Sequence, residues 1–229
     1  MRAQEFITED LDEGLKSALA TAGLTAAMAL GGGAAYQHYK QTHPTTTAAS
    51  VGKVAQAPAK RKEPETYEET LQFTAEDAGI KGTELAQFMA QAAHETMNFT
   101  RLEEMGGSKY FRKYDPKYNP RKAKILGNTK VGDGERYKGR GFLQITGRYN
   151  YARAGKALGL DLENNPELLA DPTVAAKAAV WFWQHRVQPR VDDFSDVKQS
   201  TKPINPGFKG LDDRKERFKH FHGIHGEKQ

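Results

Sequence analysis

The chain has 229 residues, 38% of them hydrophobic, which is enough for one good-sized domain with an extension. It contains no cysteine, which excludes a disulfide scaffold, a thiolate metal site and a cysteine nucleophile. A formal charge of +5 and a pI of about 9.2 suit an anionic partner such as cell-wall polymer, lipopolysaccharide or nucleic acid, though an ordinary solvated basic surface carries the same signature.

Residues 1–16 form an acidic arm, with Glu5, Glu9, Asp10, Asp12 and Glu13 set against Arg2 and Lys16. From Ser17 to Tyr39 there is no Asp, Glu, Lys or Arg, and Ala, Gly, Thr and Leu dominate. That length could span a bilayer, but the stretch is only weakly hydrophobic and Gly31-Gly32-Gly33 interrupts it. Its flanks are acidic before and basic after (Lys40, Lys53, Lys60, Arg61, Lys62), unlike a secretory leader. Two readings of 17–39 stay open: a weak, releasable membrane anchor, or an Ala-rich helix or flexible arm away from any membrane. Residues 40–65, rich in Thr, Ala, Pro and Lys, read as a low-complexity linker that cannot bury enough apolar surface to order itself. The globular domain is expected over 66–222, followed by a tail at 223–229.

Within the domain the pattern is mainly helical. Glu68 to Ala78 suits a short helix. Thr83 is a candidate N-cap for a helix whose apolar positions Leu85, Phe88, Met89, Ala92 and Ala93 recur at helical spacing. Gly132-Asp133-Gly134 and the residues up to Ile145 predict a turn and a short strand, hence a small hairpin. Tyr149 to Leu158 predicts a helix stopped by Gly159. Asn165-Pro166 and Asp171-Pro172 are two cap-plus-proline starts, the second opening a helix lined by Val174, Ala178, Trp181 and Phe182. Trp181 is read as core, and Trp183 is left open. The fold class is therefore mainly α, with a minor β element.

Glu95 lies seven positions after Phe88 and three after Ala92, on the apolar face of its helix. Partial desolvation there would raise the pKa of its carboxyl, as a general acid requires. The competing reading is a surface Glu at a helix end, paired with Arg101. Glu103 and Glu104 follow just before Gly106-Gly107, and a carboxylate there could activate a water; alone, they look like an acidic turn. Two acids held apart with a water between them are what inverting glycoside hydrolysis needs. On a strand, Gln144 and Thr146 would share one face and could hold a water and a sugar. Asn150 and Tyr151 could add a hydrogen bond and a stacking surface, Tyr151 being equally suited to the core. His220, His222 and His225 lack carboxylate companions and read as a solvated tail, so no metal and no cofactor is expected. The segment 109–124 interleaves Lys109, Arg112, Lys113, Lys117, Arg121, Lys122 and Lys124 with Tyr110, Phe111, Tyr114 and Tyr118. It suits a nucleic-acid face or the wall of a glycan cleft.

Three ordered motifs carry a resemblance: His94-Glu95-Thr96, the run Tyr137-Lys138-Gly139-Arg140-Gly141-Phe142-Leu143-Gln144-Ile145-Thr146-Gly147-Arg148-Tyr149-Asn150-Tyr151, and Ile204-Asn205-Pro206-Gly207-Phe208 leading to Leu211-Asp212-Asp213-Arg214. Over roughly two thirds of its length the chain resembles glycoside hydrolase family 19, the chitinase-like enzymes, and within it the phage and bacterial lysozyme-like endolysins. The resemblance implies a two-lobed, α-rich, lysozyme-like domain with the cleft between lobes. It puts Glu95 at the general acid, Glu104 at the second carboxylate and Thr146 at the water-holding hydroxyl. His94, Tyr137, Arg140, Gln144, Asn150 and Asn205 fall on or beside the substrate positions. Where the family usually has Asn-Gly-Gly, this chain has Asn205-Pro206-Gly207. The implied substrate is a β-1,4-linked N-acetylglucosamine polymer, either chitin or peptidoglycan. The expectation is a peptidoglycan-cleaving muramidase, with chitinase and a virion-associated structural protein as alternatives. Its partners would be peptidoglycan glycan strands, with weak membrane association through 17–39 and virion proteins as further candidates and nucleic acid not expected.

Overall fold

The computed structural model describes residues 62–226. The acidic arm, the 17–39 segment and most of the expected linker lie outside the described residues. Nine α-helices follow in order within them: α1 (Tyr67–Asp77), α2 (Gly82–Glu95), α3 (Ser108–Phe111), α4 (Pro120–Leu126), α5 (Asp133–Arg136), α6 (Arg148–Leu158), α7 (Pro172–Phe182), α8 (Val197–Ile204) and α9 (Leu211–His225). Single 3-10 turns stand at Arg112–Tyr114, Pro166–Ala170 and Gln188–Arg190.

Local chemistry explains several helix ends. Thr66 and Glu69 form a reciprocal capping box at the start of α1, which supplies partners for two otherwise orphaned N–H groups. The Asp171 carboxylate accepts from Thr173 and Val174 N–H at 3.0 and 3.1 Å, capping α7 ahead of Pro172. Helix α6 stops where Gly159 turns left-handed. Helix α2 begins at Gly82, with Lys81 rather than Thr83 in the cap position and no side-chain cap bond.

Helix α2 is the spine of the domain. Every residue from Leu85 to Ala93 is buried, Gln87 and Gln91 included, so the helix is enclosed rather than one-sided. Helix α9 lies along it in the most extensive helix pairing of the fold, and α1 packs on α7. Leaving α2, the chain makes a turn in which Met97, Asn98 and Phe99 all have positive φ (54°, 60° and 56°). Three non-glycine residues in the left-handed region are costly. Thr96 holds the turn: its hydroxyl accepts from Phe99 N–H at 3.0 Å, and its carbonyl accepts from Thr100 and Arg101. Phe99 is thereby tucked between the rings of Phe142 and Phe221.

Four features differ from the sequence reading. The expected hairpin shrinks to two isolated antiparallel bridges, Glu103 with Arg140 and Arg140 with Ile145. Gly132-Asp133-Gly134 starts α5 instead of a β-turn, because Asp133 is engaged by Thr129 and Lys130 N–H and by Arg148. Trp183, not Trp181, is the core tryptophan: it is fully buried, donates to Glu84 Oε1 at 2.9 Å and meets Phe88 edge-on. Helix α7 is buried around most of its circumference, so no single stripe marks its inner face. Finally, α9 runs through His225, which stacks on Phe221, so residues expected in a solvated tail are helical.

Candidate active site

Glu95 ends α2 with its side chain 3% exposed. Its Oε1 accepts from Arg214 Nη2 at 2.5 Å, and Arg214, on α9, is itself fully buried. The other arm of the guanidinium donates to Gln91, one turn earlier on α2, and Gln91 donates onward to Thr201 of α8 at 3.1 Å. The partner of Glu95 is therefore a buried cation 119 residues away, not the sequence neighbour Arg101. Glu95 Oε2 takes no protein partner among the described residues. Next to it, His94 Nδ1 and Asp213 Oδ2 are 2.6 Å apart, and Asp213 also accepts from Arg217. Burial, and then the charge of Arg214, hold the His94 imidazole below its ordinary range, with the Asp213 hydrogen bond pulling the other way.

Glu104 sits in a second cluster, its side chain fully shielded from solvent. Tyr110 and Tyr114 hydroxyls donate to Oε1 at 3.0 and 3.1 Å, Gly139 N–H donates to Oε2 at 3.2 Å, and the Lys113 ammonium stands 3.6 Å from Oε1. The chain is pinned there as well, since Glu104 N–H donates to Gly139 carbonyl at 2.8 Å. Gly139 is the hinge of this cluster. A Cβ on it would lie 3.0 Å from Gln144 Oε1 and 3.2 Å from both Glu104 Oε2 and Thr146 Oγ1, so three polar side chains surround the space a side chain would fill. Gln144 reaches that position through a left-handed backbone (φ 51°), not from the regular strand expected of it. Such a backbone in a non-glycine residue is uncommon and costs strain. Glu103 points elsewhere: it is ion-paired with Arg140 at 2.8 Å and Lys138 at 3.0 Å. Burial opposes its charge, but those two donors outweigh it and hold its carboxyl below the usual range.

The arrangement is thus two shielded carboxylates on different supports, one oriented by a buried arginine and one by tyrosine hydroxyls and a backbone amide. Residues 68–203 match the family model described as chitinase class I of glycoside hydrolase family 19. The chain belongs to glycoside hydrolase family 19. It is a glycosidase by that membership. A Haemophilus influenzae protein described as a glycosyl hydrolase family 19 domain-containing protein is 36% identical over 163 residues, covering 61% of this chain and 79% of that one. Endochitinase 1 of Theobroma cacao is 38% identical over 127 residues, which are 51% of this chain but 37% of the plant protein. The chain therefore spans well under half of that relative. Chitinase C from Streptomyces griseus HUT6037 shares the fold, with a TM-score of 0.51 and 24% identity over 68% of this chain and 67% of that one.

Several positions that the family motifs put near substrate are occupied with the protein itself. Tyr137 is 1% exposed, and its hydroxyl donates to Glu163 carbonyl at 2.9 Å while its ring packs on Tyr151. Arg140 is 7% exposed, with Glu103, the Arg136 carbonyl and the Tyr151 hydroxyl as partners. Arg140 thereby braces the Glu103 side of the turn, while Tyr137 ties α5 to the segment at Glu163. Tyr151 is core, and burial raises its phenol. Asn150 is buried, its amide nitrogen held by Thr146 carbonyl at 2.7 Å and its Oδ1 without a partner. Asn205 closes a turn on Gly207 N–H, and Phe208 N–H donates back to the Asn205 carbonyl, so Pro206 falls in a β-turn that accepts it. Sequence reading names Tyr110 and Tyr114 only within a segment suited to a nucleic-acid face or the wall of a glycan cleft, and it assigns no site role to the buried Arg214 or the hub Gly139. Only the family motifs could have pointed to Arg214 and Gly139, because each lies within one.

Proposed function

We propose that the chain is a muramidase that hydrolyses β-1,4 bonds of peptidoglycan glycan strands with inversion. Glu95, protonated for the reaction at the Oε2 that Arg214 leaves free, gives that proton to the glycosidic oxygen as the C1–O bond breaks. Glu104 takes a proton from the water that bonds to C1 from the opposite face, and Thr146 and Gln144 orient that water. The observation that carries the reading is the Glu104 cluster: two tyrosine hydroxyls, a backbone amide and the Lys113 ammonium fix a shielded carboxylate whose Oε2 borders the same small space as the Thr146 hydroxyl and the Gln144 amide oxygen. At the other carboxylate, one oxygen is fixed by Arg214 and the other is free for substrate. His94, Asn150 and Asn205 would line the sugar-binding face. The net charge of +5 favours an anionic wall polymer. Chitin is the second reading, supported by the names of the Theobroma cacao and Streptomyces griseus relatives.

The protein would act at the bacterial wall or periplasm, delivered through 17–39 or within a phage particle. Its presence in purified virions separates those routes. The deciding experiment is digestion of purified sacculi and of chitin by wild type and Glu95→Gln, with mass spectrometry of the fragments and NMR of the first anomer released. Reducing-end N-acetylmuramic acid in the inverted configuration is expected from wild type alone. Fragments from chitin only would replace the substrate, and equal activity in Glu95→Gln would remove Glu95 from its role.

A further inference from the structure

Residues 105–132 hold eight Lys or Arg and one Asp, whereas residues 62–104 hold three Lys or Arg against ten Asp or Glu. The excess of positive charge is therefore densest on one stretch, a basic lobe running from before α3 to the start of α5. The single acid there, Asp115, is 4% exposed and spends its Oδ1 on Gly132 and Gly134 N–H at 3.1 and 2.8 Å. Lys109, Arg112, Lys117, Arg121, Lys124 and Lys130 are exposed, and none is ion-paired among the described residues. Two half-exposed rings stand among them: Tyr118 with Arg112 and Lys117 at 5.1 and 5.7 Å from its centre, and Tyr110 with Lys113 at 3.3 Å. An ordinary solvated face mixes both signs, and a single-signed one repels itself unless an anion meets it.

This lobe is joined to the site. Tyr110, Tyr114 and Lys113, which belong to it, all hold Glu104. A polymer that reaches Glu104 therefore meets the stretch that carries the cations. We propose that the lobe docks the peptide-bearing strands of wall glycan, its cations meeting stem-peptide carboxylates while a sugar is presented to Glu104. The inference rests on the wall-glycan reading above, since uncharged chitin would gain nothing from it. Nucleic acid is the less favoured occupant, because the basic-aromatic segment spends Tyr110, Tyr114 and Lys113 on the carboxylate.

The test is binding, read apart from hydrolysis. The full chain carrying Glu95→Gln, which keeps the glycan intact, is co-sedimented with sacculi and with chitin particles at low and high salt. The same is done after adding Lys117→Glu, Arg121→Glu and Lys124→Glu together. Sacculus binding should fall about tenfold or more, both with salt and in the triple variant, with chitin binding held within about twofold. A milder triple change to Gln, with its melting transition recorded, should lose an intermediate amount and covers misfolding of the reversed variant. Unchanged sacculus binding in both triples overturns the proposal, as does equal loss on sacculi and chitin. Loss of duplex-DNA retention with sacculus binding intact would assign the lobe to nucleic acid instead. Wild type that docks on sacculi through the lobe but releases no fragments would refute the muramidase reading and leave the docking surface standing.

Discussion

Replacing Arg214 by Met should be among the most damaging single changes in this domain. The guanidinium is 1% exposed and lies 2.5 Å from a Glu95 carboxylate that is 3% exposed. Removing it strands that carboxylate, and such a broken buried pair costs about 3–5 kcal/mol. The amide oxygen of Gln91 loses its donor as well, at about 1–3 kcal/mol. Against a total stability of about 5–15 kcal/mol this is a large share. At about 2–4 °C per kcal/mol for a domain of this size, the charge loss alone lowers the melting temperature by about 6–20 °C. Urea unfolding and calorimetry of Arg214→Met, Glu95→Gln and the double variant check it. Since the double variant has no stranded charge, it should be more stable than Arg214→Met, giving a coupling energy well above zero. A melting shift under about 3 °C in Arg214→Met, or strict additivity in the cycle, would refute the claim that the two charges depend on each other.

Tyr114→Phe keeps the packed ring and deletes one donor to Glu104, a charge-assisted bond worth about 1.5–3 kcal/mol; kcat should drop at least about tenfold with KM little changed, and an unchanged kcat would remove the hydroxyl from the site. Gly139→Ala introduces a Cβ 3.0–3.2 Å from Gln144, Glu104 and Thr146, so activity should be lost out of proportion to the melting shift; full activity on purified wall glycan would contradict the geometry. Gly210 has φ +75° and its missing Cβ makes room for the His94 ring, so Gly210→Ala should destabilise and break the His94–Asp213 contact, visible as a shifted imidazole resonance by NMR. His94 is held below its ordinary range by burial and Arg214, so the unfolded chain binds that proton more readily; stability should rise with pH up to about 6.5 and fall as pH drops through the folded pKa. Melting profiles of wild type and His94→Gln should therefore diverge below about pH 6.5, and parallel profiles would sink the assignment.

Local signals fixed much of the helical layout. Asp171-Pro172 caps and starts α7, Gly159 ends α6, and the apolar spacing from Leu85 to Ala93 lies within α2, because caps, stops and periodicity act over one or two turns. The same short range explains the errors. Thr83 looked like a cap but lies inside α2. Gly132-Asp133-Gly134 had hairpin chemistry, yet Arg148, fifteen residues on, claimed Asp133 and made it helical. Trp181 continued the apolar stripe of α7, but enclosure of that helix left the stripe without meaning and buried Trp183 instead.

The sequence by itself supplied the acids, their motifs and the family to which they belong. It could not supply their partners. Arg214 meets Glu95 only because α9 lies along α2, and Tyr110 and Tyr114 meet Glu104 only because the chain doubles back after Gly106-Gly107. Nor does local preference place Met97 and Phe99 in the left-handed region, which of the three only Asn98 adopts readily; the Thr96 hydrogen bonds and the Phe142–Phe221 pocket hold the turn there. Residue identity sets which chemistry is available, while the environment of a carboxylate is a property of the residues that packing brings to it, and packing is decided over the whole fold.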